Sequence, residues 1–346
     1  MELAHTFKGS GFEVPEEKRA YANNDKLEAI FQQWVKEAPA LQYKGELSEA
    51  WYQLARRLLK DETFDANAIH ALVAQEHARK VTQPEDKKVS IDEFAAAAYN
   101  KAEDQVIVFE GPTAEGVRWG YRNIGYKLTQ GKVLINKTPA GDVGFRARGA
   151  IINYERASKL GNEARGPFIN YGQLGNPTAV AHNCRGFFVT CADMPDDYCE
   201  KNFIPDSWGN GIGYLAQGPI INFGNMPFPA KRKQWGEEKI HTLECGKGAS
   251  SLVISNTREK DASGNITKRI TLWAPIPLIG PRTGELKLDN CEEFPELADY
   301  INNLKARFEE GRTDYNKAIL ALESLGPKPE RKLAEDITAI LRRCLL

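Results

Sequence analysis

The segment VGFRARGAIIN, residues 143–153, recurs through the middle of the chain, and its recurrence determines the predicted fold. Each copy has an aliphatic residue, a small residue, two variable positions, a second small residue, Arg or Gln, a glycine, and an apolar run that ends in a polar residue, usually Asn. The other copies are LGNEARGPFIN (160–170), VAHNCRGFFVT (180–190), IGYLAQGPIIN (212–222) and, with one residue inserted on either side of its glycine, IGYKLTQGKVLIN (124–136).

The shared glycines of the five copies set the length of the repeating unit. They lie at 131, 149, 166, 186 and 218, so the first intervals are 18, 17 and 20 residues and the last, 32, is about two periods. A unit of about 17 residues is too short to be a domain, but stacked copies bury a continuous core. The repeats therefore predict an α+β chain with a central β-helix (β-solenoid), whose short strands lie about 4.8 Å apart in successive coils.

Two residue types in the repeat have a predicted structural role. A glycine at each corner of a coil accepts a positive φ without steric cost, and this role is expected for Gly149 and Gly166. An Asn that recurs at one turn is expected to form a ladder of side-chain amides up the stack.

Helical periodicity flanks the repeats on both sides, with apolar residues at i, i+3, i+4 and i+7. The predicted organisation is a helical N-terminal region (1–103), the β-helix (104–292) and a C-terminal helical cap (293–346). Within the β-helix we expect a loop insertion at 191–211 and a hairpin at 250–274, turning about Ser263–Gly264–Asn265.

His182 and Cys184, two residues apart and followed by a glycine, invite an enzymatic interpretation with a thiolate nucleophile and a base. Cys184 occupies the repeat position that Ala147, Ala164 and Ala216 hold in other copies. A buried cysteine is inert unless its thiolate is stabilised. A packing role is therefore predicted for Cys184.

A metal site is the alternative for the cysteines of this region, because His182, Cys184, Cys191 and Cys199 form the pattern H-x-C-x6-C-x7-C. Zinc sites usually contain more closely spaced ligand pairs. The sequence therefore predicts no metal and no other cofactor.

Arginine occupies one position of the repeat in three copies, at Arg148, Arg165 and Arg185, with Gln130 and Gln217 in the outer copies. Stacked like charges repel one another unless solvent or an acidic group relieves them. Two interpretations stay open: a solvated corner of the stack, or a stripe of positive charge for an acidic partner.

The loop insertion at 191–211 interrupts the regular array and is the second candidate site. Its candidate residues are Asp196, Asp197, Asp206 and Trp208, because insertions in repeat proteins map to loops on a binding face. Two of its carboxylates could act as the acid and base of a glycosidase, although a solvated loop is the simpler interpretation.

Aromatic residues follow the Asn position at Tyr154, Tyr171 and Phe223. They are interpreted as a packed column, with a platform for a sugar ring as the alternative.

The overall charge and the cysteine content limit the partners and the compartment. The chain has 46 basic and 47 acidic residues, so no overall field favours nucleic acid or an anionic membrane. No apolar stretch approaches the length of a membrane span or a signal peptide. Six cysteines in 346 residues are typical of a reducing compartment, and the cytoplasm is predicted.

The repeats resemble those of the GXGXG family, which includes the C-terminal domain of the glutamate synthase large subunit and the C subunit of formylmethanofuran dehydrogenase. The similarity lies around Gly144–Gly149–Ile151, Gly161–Gly166–Phe168, Gly186–Phe188 and Gly213–Gly218–Ile220, within the central third of the chain. The resemblance implies a right-handed, single-stranded β-helix with a scaffolding and subunit-contact role and no catalytic residues of its own.

The predicted function is that of a non-catalytic structural or interaction protein within a larger complex. A protein partner or self-association is expected, without nucleic acid or membrane. The alternative is a carbohydrate-active or other hydrolytic enzyme that uses carboxylates of the 191–211 loop. The sequence favours a protein that is not an enzyme, and both interpretations stay open.

Overall fold

The computed structural model describes residues 17–41, 49–82, 91–110, 121–176, 180–201, 211–234, 237–261, 263–275, 285–326 and 328–345. The helices of this part of the chain are α1 (Glu17–Glu37), α2 (Glu49–Leu58), α3 (Ala66–Thr82), α4 (Asp92–Lys101), α5 (Tyr198–Lys201), α6 (Pro295–Glu310), α7 (Tyr315–Ser324) and α8 (Pro329–Leu345). The strands are β1 (Val106–Phe109), β2 (Val133–Asn136), β3 (Ala140–Val143), β4 (Ala150–Asn153), β5 (Ala157–Leu160), β6 (Phe168–Asn170), β7 (Phe188–Thr190), β8 (Gly211–Ile212), β9 (Ile220–Asn222), β10 (Ala230–Gln234), β11 (Glu237–His241), β12 (Glu244–Cys245), β13 (Val253–Lys260), β14 (Ile266–Pro275) and β15 (Glu285–Leu288).

One nine-stranded mixed sheet dominates the architecture, in the order β1-β2-β4-β6-β7-β9-β13-β14-β15. The pairs from β1 to β13 are parallel, and the last two pairs are antiparallel. Equivalent repeat positions pair directly, so that Ile151 lies opposite Phe168 and Phe168 opposite Phe188. The remaining strands form two-stranded sheets, β3-β5, β8-β12 and β10-β11.

The predicted β-helix is wrong as a description of this fold. The described residues form an α+β structure in which the repeats supply only the central parallel strands of a larger mixed sheet. The sheet continues past the repeats into the antiparallel strands β14 and β15, and helices pack on it. The hairpin prediction is confirmed, since β13 and β14 pair antiparallel on either side of the turn at Ser263.

The sheet is buried on both faces because consecutive residues of each repeat strand are apolar. Ile151 belongs to one core, which extends to the N-terminal helices, and Ile152 belongs to a second core with the C-terminal helices. Successive side chains of a strand point to opposite faces, so the two cores lie on opposite sides of the sheet. Each such side chain stabilises the fold by about 1.5–3 kcal/mol through its burial.

The C-terminal helices are held on the sheet by the tyrosines that follow the Asn positions. The Tyr154 hydroxyl donates to the carbonyl oxygen of Gly311, and that of Tyr171 donates to Phe308, both at 2.6 Å. The two tyrosine rings stack with their centres 5.0 Å apart. Tyr171 is 7% exposed and Phe223 4% exposed. The packing interpretation of this column is therefore confirmed, and these covered rings form no open sugar platform.

The predicted ladder of Asn side chains is confirmed. The Asn136 amide donates to Asn153 and the Asn153 amide donates to Asn170, both at 2.7 Å, and Asn170 donates to Thr190 at 3.1 Å. Each of these amides also donates to a backbone carbonyl two residues further along its own chain segment. All four residues are fully buried, so the ladder satisfies polar groups that would otherwise be costly to bury.

The positive φ predicted for Gly149 and Gly166 is wrong, since the left-handed glycine of those repeats lies earlier, at Gly144 (φ 72°) and Gly161 (φ 61°). Gly149 and Gly166 are required for a different reason. A Cβ added to Gly166 would overlap the carbonyl oxygen of Gly149 in the preceding repeat. These glycines allow adjacent backbones to approach closely.

Candidate functional site

The three arginines of the repeat form a column on the turns that lead into the paired strands β4, β6 and β7. The backbone amide of Arg148 donates to Leu128, that of Arg165 to Ala147, and that of Arg185 to Ala164, each at 2.7 Å. The identical pattern fixes the three residues in register, one strand spacing of about 4.8 Å apart. Their side chains are exposed.

The column forms one wall of a cavity of about 840 Å³, which we call the arginine groove. Residues of α2 and α4 and of the loops between the strands line the rest of it. The lining residues are Tyr52, Arg56, Ala97, Asn100, Lys101, Lys127, Thr129, Gln130, Arg146, Arg148, Glu163, Arg165, Asn183, Arg185 and Gln217.

The wall opposite the column comes from α2 and α4, which dock on the first repeat through Asn100. The Asn100 side chain accepts from the Thr129 amide at 2.7 Å and donates to the Lys127 carbonyl at 3.2 Å and the Tyr52 hydroxyl at 3.0 Å. The Tyr126 hydroxyl donates to Glu49 at 2.8 Å. These bonds place two distant parts of the chain beside each other with their basic side chains facing one cavity.

Positive charge in the arginine groove exceeds negative charge. Seven of the fifteen lining residues are basic, and one is acidic. Two of the cations are neutralised locally, because Lys127 pairs with Glu49 at 2.6 Å and Arg146 pairs with Glu163 at 2.8 Å.

The arginines of the column have no such partner. Within the described part of the chain, no hydrogen bond or ion pair involves the guanidinium groups of Arg148, Arg165 or Arg185. Guanidinium groups present planar pairs of N–H donors that match carboxylates and phosphates. The column therefore presents hydrogen-bond donors of the kind that match carboxylates and phosphates, without a partner in the described residues.

Four cations of the groove were not predicted from the sequence: Lys127 and Arg146 lie within the repeats, and the other two lie on helices. Arg56 of α2 lies with its guanidinium carbon 6.0 Å from the centre of the Tyr52 ring. Lys101 of α4 donates to the carbonyl oxygen of Lys60 at 2.8 Å. No local pattern connects α2 and α4 to the repeats, so only the tertiary contact through Asn100 shows that these cations belong to the site.

The repeat position that the arginines occupy recurs more often than predicted, and in the first repeat it is held by a different residue from the one predicted. Because the Arg148 amide bonds to Leu128, the equivalent of Arg148 in the first repeat is Thr129, not Gln130. At the other end, the amide of Ser250 bonds to Ala216 in the same way, which adds a further repeat at the start of the predicted hairpin. Gln130 still lines the groove.

The packing role predicted for Cys184 is confirmed. Its side chain is fully buried, and its thiol donates to the carbonyl oxygen of Gly186 at 3.3 Å. Burial raises the pKa of the Cys184 thiol to about 12, which favours the protonated thiol over the nucleophilic thiolate at neutral pH. His182 is half-buried, with its ring centre 5.0 Å from that of Tyr214.

The cysteines considered as metal ligands are separated by the sheet. Cys184 and Cys199 belong to the core on the side of the N-terminal helices, whereas Cys191 belongs to the core beneath the C-terminal helices. Within the described ranges, no cluster of three or more His, Cys, Asp or Glu side chains could hold a metal ion.

Two carboxylates of the 191–211 loop are engaged by neighbouring cations. Asp196 accepts from the Arg258 guanidinium at 2.7 Å, and Asp197 pairs with Lys201 at 2.6 Å. The Arg258 side chain is 7% exposed and also donates to the Met226 carbonyl, so its bond to Asp196 fastens the loop to β13.

Asp196 and Asp197 also line a cavity of about 680 Å³ that includes Glu200 and Glu259. Asp206 and Trp208 lie outside the described residues. The role proposed for this loop in a hydrolytic enzyme stays a prediction.

The comparisons with protein-family models, curated proteins and solved structures give no match for this chain. The resemblance to the GXGXG family therefore stays a prediction. None of the described helices has the length and apolar character needed to cross a lipid bilayer.

Proposed function

We propose that the protein is a non-catalytic interaction protein that binds an acidic protein partner in the arginine groove. The observation that carries this proposal is the column of Arg148, Arg165 and Arg185, stacked in register and without counter-charges in the described structure. Like charges that face each other on neighbouring strands are destabilising. An acidic partner would relieve this repulsion and gain charge-assisted hydrogen bonds.

The local character of the charge supports binding at one site. The whole chain has a net charge of −1, yet seven basic residues line a single cavity. The electrostatic field near the groove therefore comes from this surface, and it falls off within about 8 Å at physiological salt. A partner with a matching acidic surface would be steered to the groove over other surfaces.

The chemistry of the lining supports binding over catalysis. Its functional groups are chiefly guanidinium and ammonium groups, side-chain amides and two hydroxyls, which can donate hydrogen bonds to an anion. The carboxylate of Glu163 is engaged by Arg146. The buried sheet beneath the groove would serve as the rigid scaffold. A cytoplasmic location fits this proposal because the six cysteines are free thiols.

The test is the binding of a fluorescein-labelled oligoglutamate, measured by anisotropy at low and at physiological salt. The wild type is compared with the triple variant Arg148→Gln, Arg165→Gln, Arg185→Gln, which uses the residue already present at Gln217. We expect the variant to bind about tenfold or more weakly and to show a flatter salt dependence.

A matched control removes the same charge from other surfaces, through Lys260→Gln, Lys268→Gln and Arg307→Gln, three exposed cations on β13, β14 and α6. This control should bind within about twofold of the wild type, because its changes lie outside the groove. Equal affinity for the wild type and the groove variant, or equal losses in both triple variants, would refute the proposal.

A further inference from the structure

We propose that the acidic segment that binds in the arginine groove is an α-helix with one carboxylate per turn on a single face. This inference rests on the proposed function and specifies the partner's conformation. It follows from the spacing of the column, which is set by backbone pairing and is therefore fixed.

The repeat distance of the column is that of hydrogen-bonded parallel strands. Arg148, Arg165 and Arg185 lie on the turns that lead into β4, β6 and β7, which pair residue by residue. Neighbouring strands lie about 4.7–4.9 Å apart, so the backbone positions of the three arginines span about 10 Å.

A helix matches this distance with consecutive turns. Side chains at i and i+3 or i+4 have Cβ atoms about 5–6 Å apart, and residues i and i+7 are separated by about 10.5 Å along the axis. Three acidic residues at i, i+4 and i+7 would thus lie opposite the three arginines with a mismatch of about 1 Å or less over the whole column.

An extended segment matches less well. Its side chains on one face recur every second residue, about 6.6 Å apart, so three successive carboxylates span about 13 Å. The carboxylates would exceed the length of the column by about 3 Å, or about 1.5 Å at each end, so the outer arginine side chains would have to bend away from the column to reach them. Of these two conformations, the helix fits the column better.

The rest of the groove also fits an acidic segment better than a nucleic-acid strand. The aromatic residue of the lining is Tyr52, which is 3% exposed and is covered by Lys127 with its ammonium 5.3 Å from the ring centre. Binding of single-stranded nucleic acid uses exposed aromatic side chains on which bases stack. The groove offers cations and amide groups instead.

The test uses two labelled peptides of identical composition, rich in Ala and Gln with four Glu residues, and a third that differs from the first by two substitutions. The single-face peptide has Glu at i, i+4, i+7 and i+11, and the alternating peptide has Glu at i, i+2, i+4 and i+6. A third peptide is the single-face sequence with two interior Ala residues replaced by Pro, which keeps the charge and breaks the helix. Helicity is checked by circular dichroism.

We expect the single-face peptide to bind the wild type about tenfold more tightly than the alternating peptide and the Pro-containing peptide. The preference should disappear in the triple variant Arg148→Gln, Arg165→Gln, Arg185→Gln and persist in the Lys260→Gln, Lys268→Gln, Arg307→Gln control.

Failure of the helix inference is distinguishable from failure of the proposed function. If oligoglutamate binds in an arginine-dependent manner but the alternating or the Pro-containing peptide binds as tightly as the single-face peptide, the helix inference is wrong and the proposed function stands. If a single-stranded oligodeoxythymidylate binds through the arginines more tightly than every peptide, the partner is a nucleic acid, which overturns this inference and the acidic protein partner. If none of the probes shows arginine-dependent binding, the proposed function itself fails.

Discussion

At the scale of single residues, the glycines of the repeat serve two separate purposes. Gly144 and Gly161 adopt the left-handed conformation, with φ of 72° and 61°. Gly149 and Gly166 instead leave room for the backbone of the neighbouring repeat. Both requirements select glycine, so the sequence alone indicates that the glycines are structural. It does not distinguish the two causes, and a positive φ was wrongly predicted for Gly149 and Gly166.

The close approach at Gly166 predicts a large effect for a small substitution. Gly166→Ala should lower the free energy of unfolding by about 1–3 kcal/mol, because the added methyl group would overlap the backbone oxygen of Gly149 and force the strands apart. Urea denaturation measures this effect.

The control is Gly141→Ala, where the added Cβ would lie 3.3 Å from Arg122 Cγ and 3.5 Å from the carbonyl oxygen of Tyr121, without overlapping the backbone, and where φ is not in the left-handed range. This variant should stay within about 0.5 kcal/mol of the wild type. Equal stabilities of the two variants would show that close backbone approach does not explain Gly166.

At the scale of elements, the repeat predicted the central strands because its apolar run and its Asn recur at a constant distance from the glycine. The paired strands β4, β6 and β7 and the Asn ladder follow from that recurrence. The sequence also contained a signal for burial on both faces, since AIIN (150–153) has adjacent apolar residues with no polar alternation.

The prediction of a β-helix assumed that the apolar runs of the repeats all line a single core inside the coils. In the structure the second face packs against α6, through residues such as Phe308 that are more than 100 positions away in the chain. Contacts at such separations leave no local pattern. For the same reason the sequence revealed the arginine column but not Arg56 and Lys101 on the facing helices.

The docking of α6 predicts a measurable role for the tyrosine hydroxyls. Tyr171→Phe removes one of two donors to the carbonyl oxygen of Phe308, which still accepts from the Gly311 amide at 3.0 Å, so we expect a loss of about 0.5–1.5 kcal/mol in unfolding free energy. Tyr154→Phe, in a less buried position, should cost less. Chemical denaturation of both variants measures the difference, and an unchanged stability for Tyr171→Phe would mean that this bond does not hold α6 on the sheet.

At the scale of the whole molecule, a chain that is almost neutral concentrates cations in one groove. The nine-stranded sheet holds the column rigidly, because each arginine is part of a turn whose backbone is bonded to the next repeat. The fold therefore keeps together charges that would separate in a flexible chain. Stability is expected to be slightly lower because these charges are held close together.

The most direct measurement is the unfolding free energy of wild type and Arg165→Gln, without any ligand, at about 20 mM and about 500 mM salt. Arg165 has an arginine on each neighbouring strand, so its removal eliminates both close repulsions. We expect Arg165→Gln to be more stable than the wild type by about 0.5–1 kcal/mol at low salt, with the difference vanishing at high salt. A variant that is less stable than the wild type by an amount independent of salt would show that the column is not an uncompensated stack of charge.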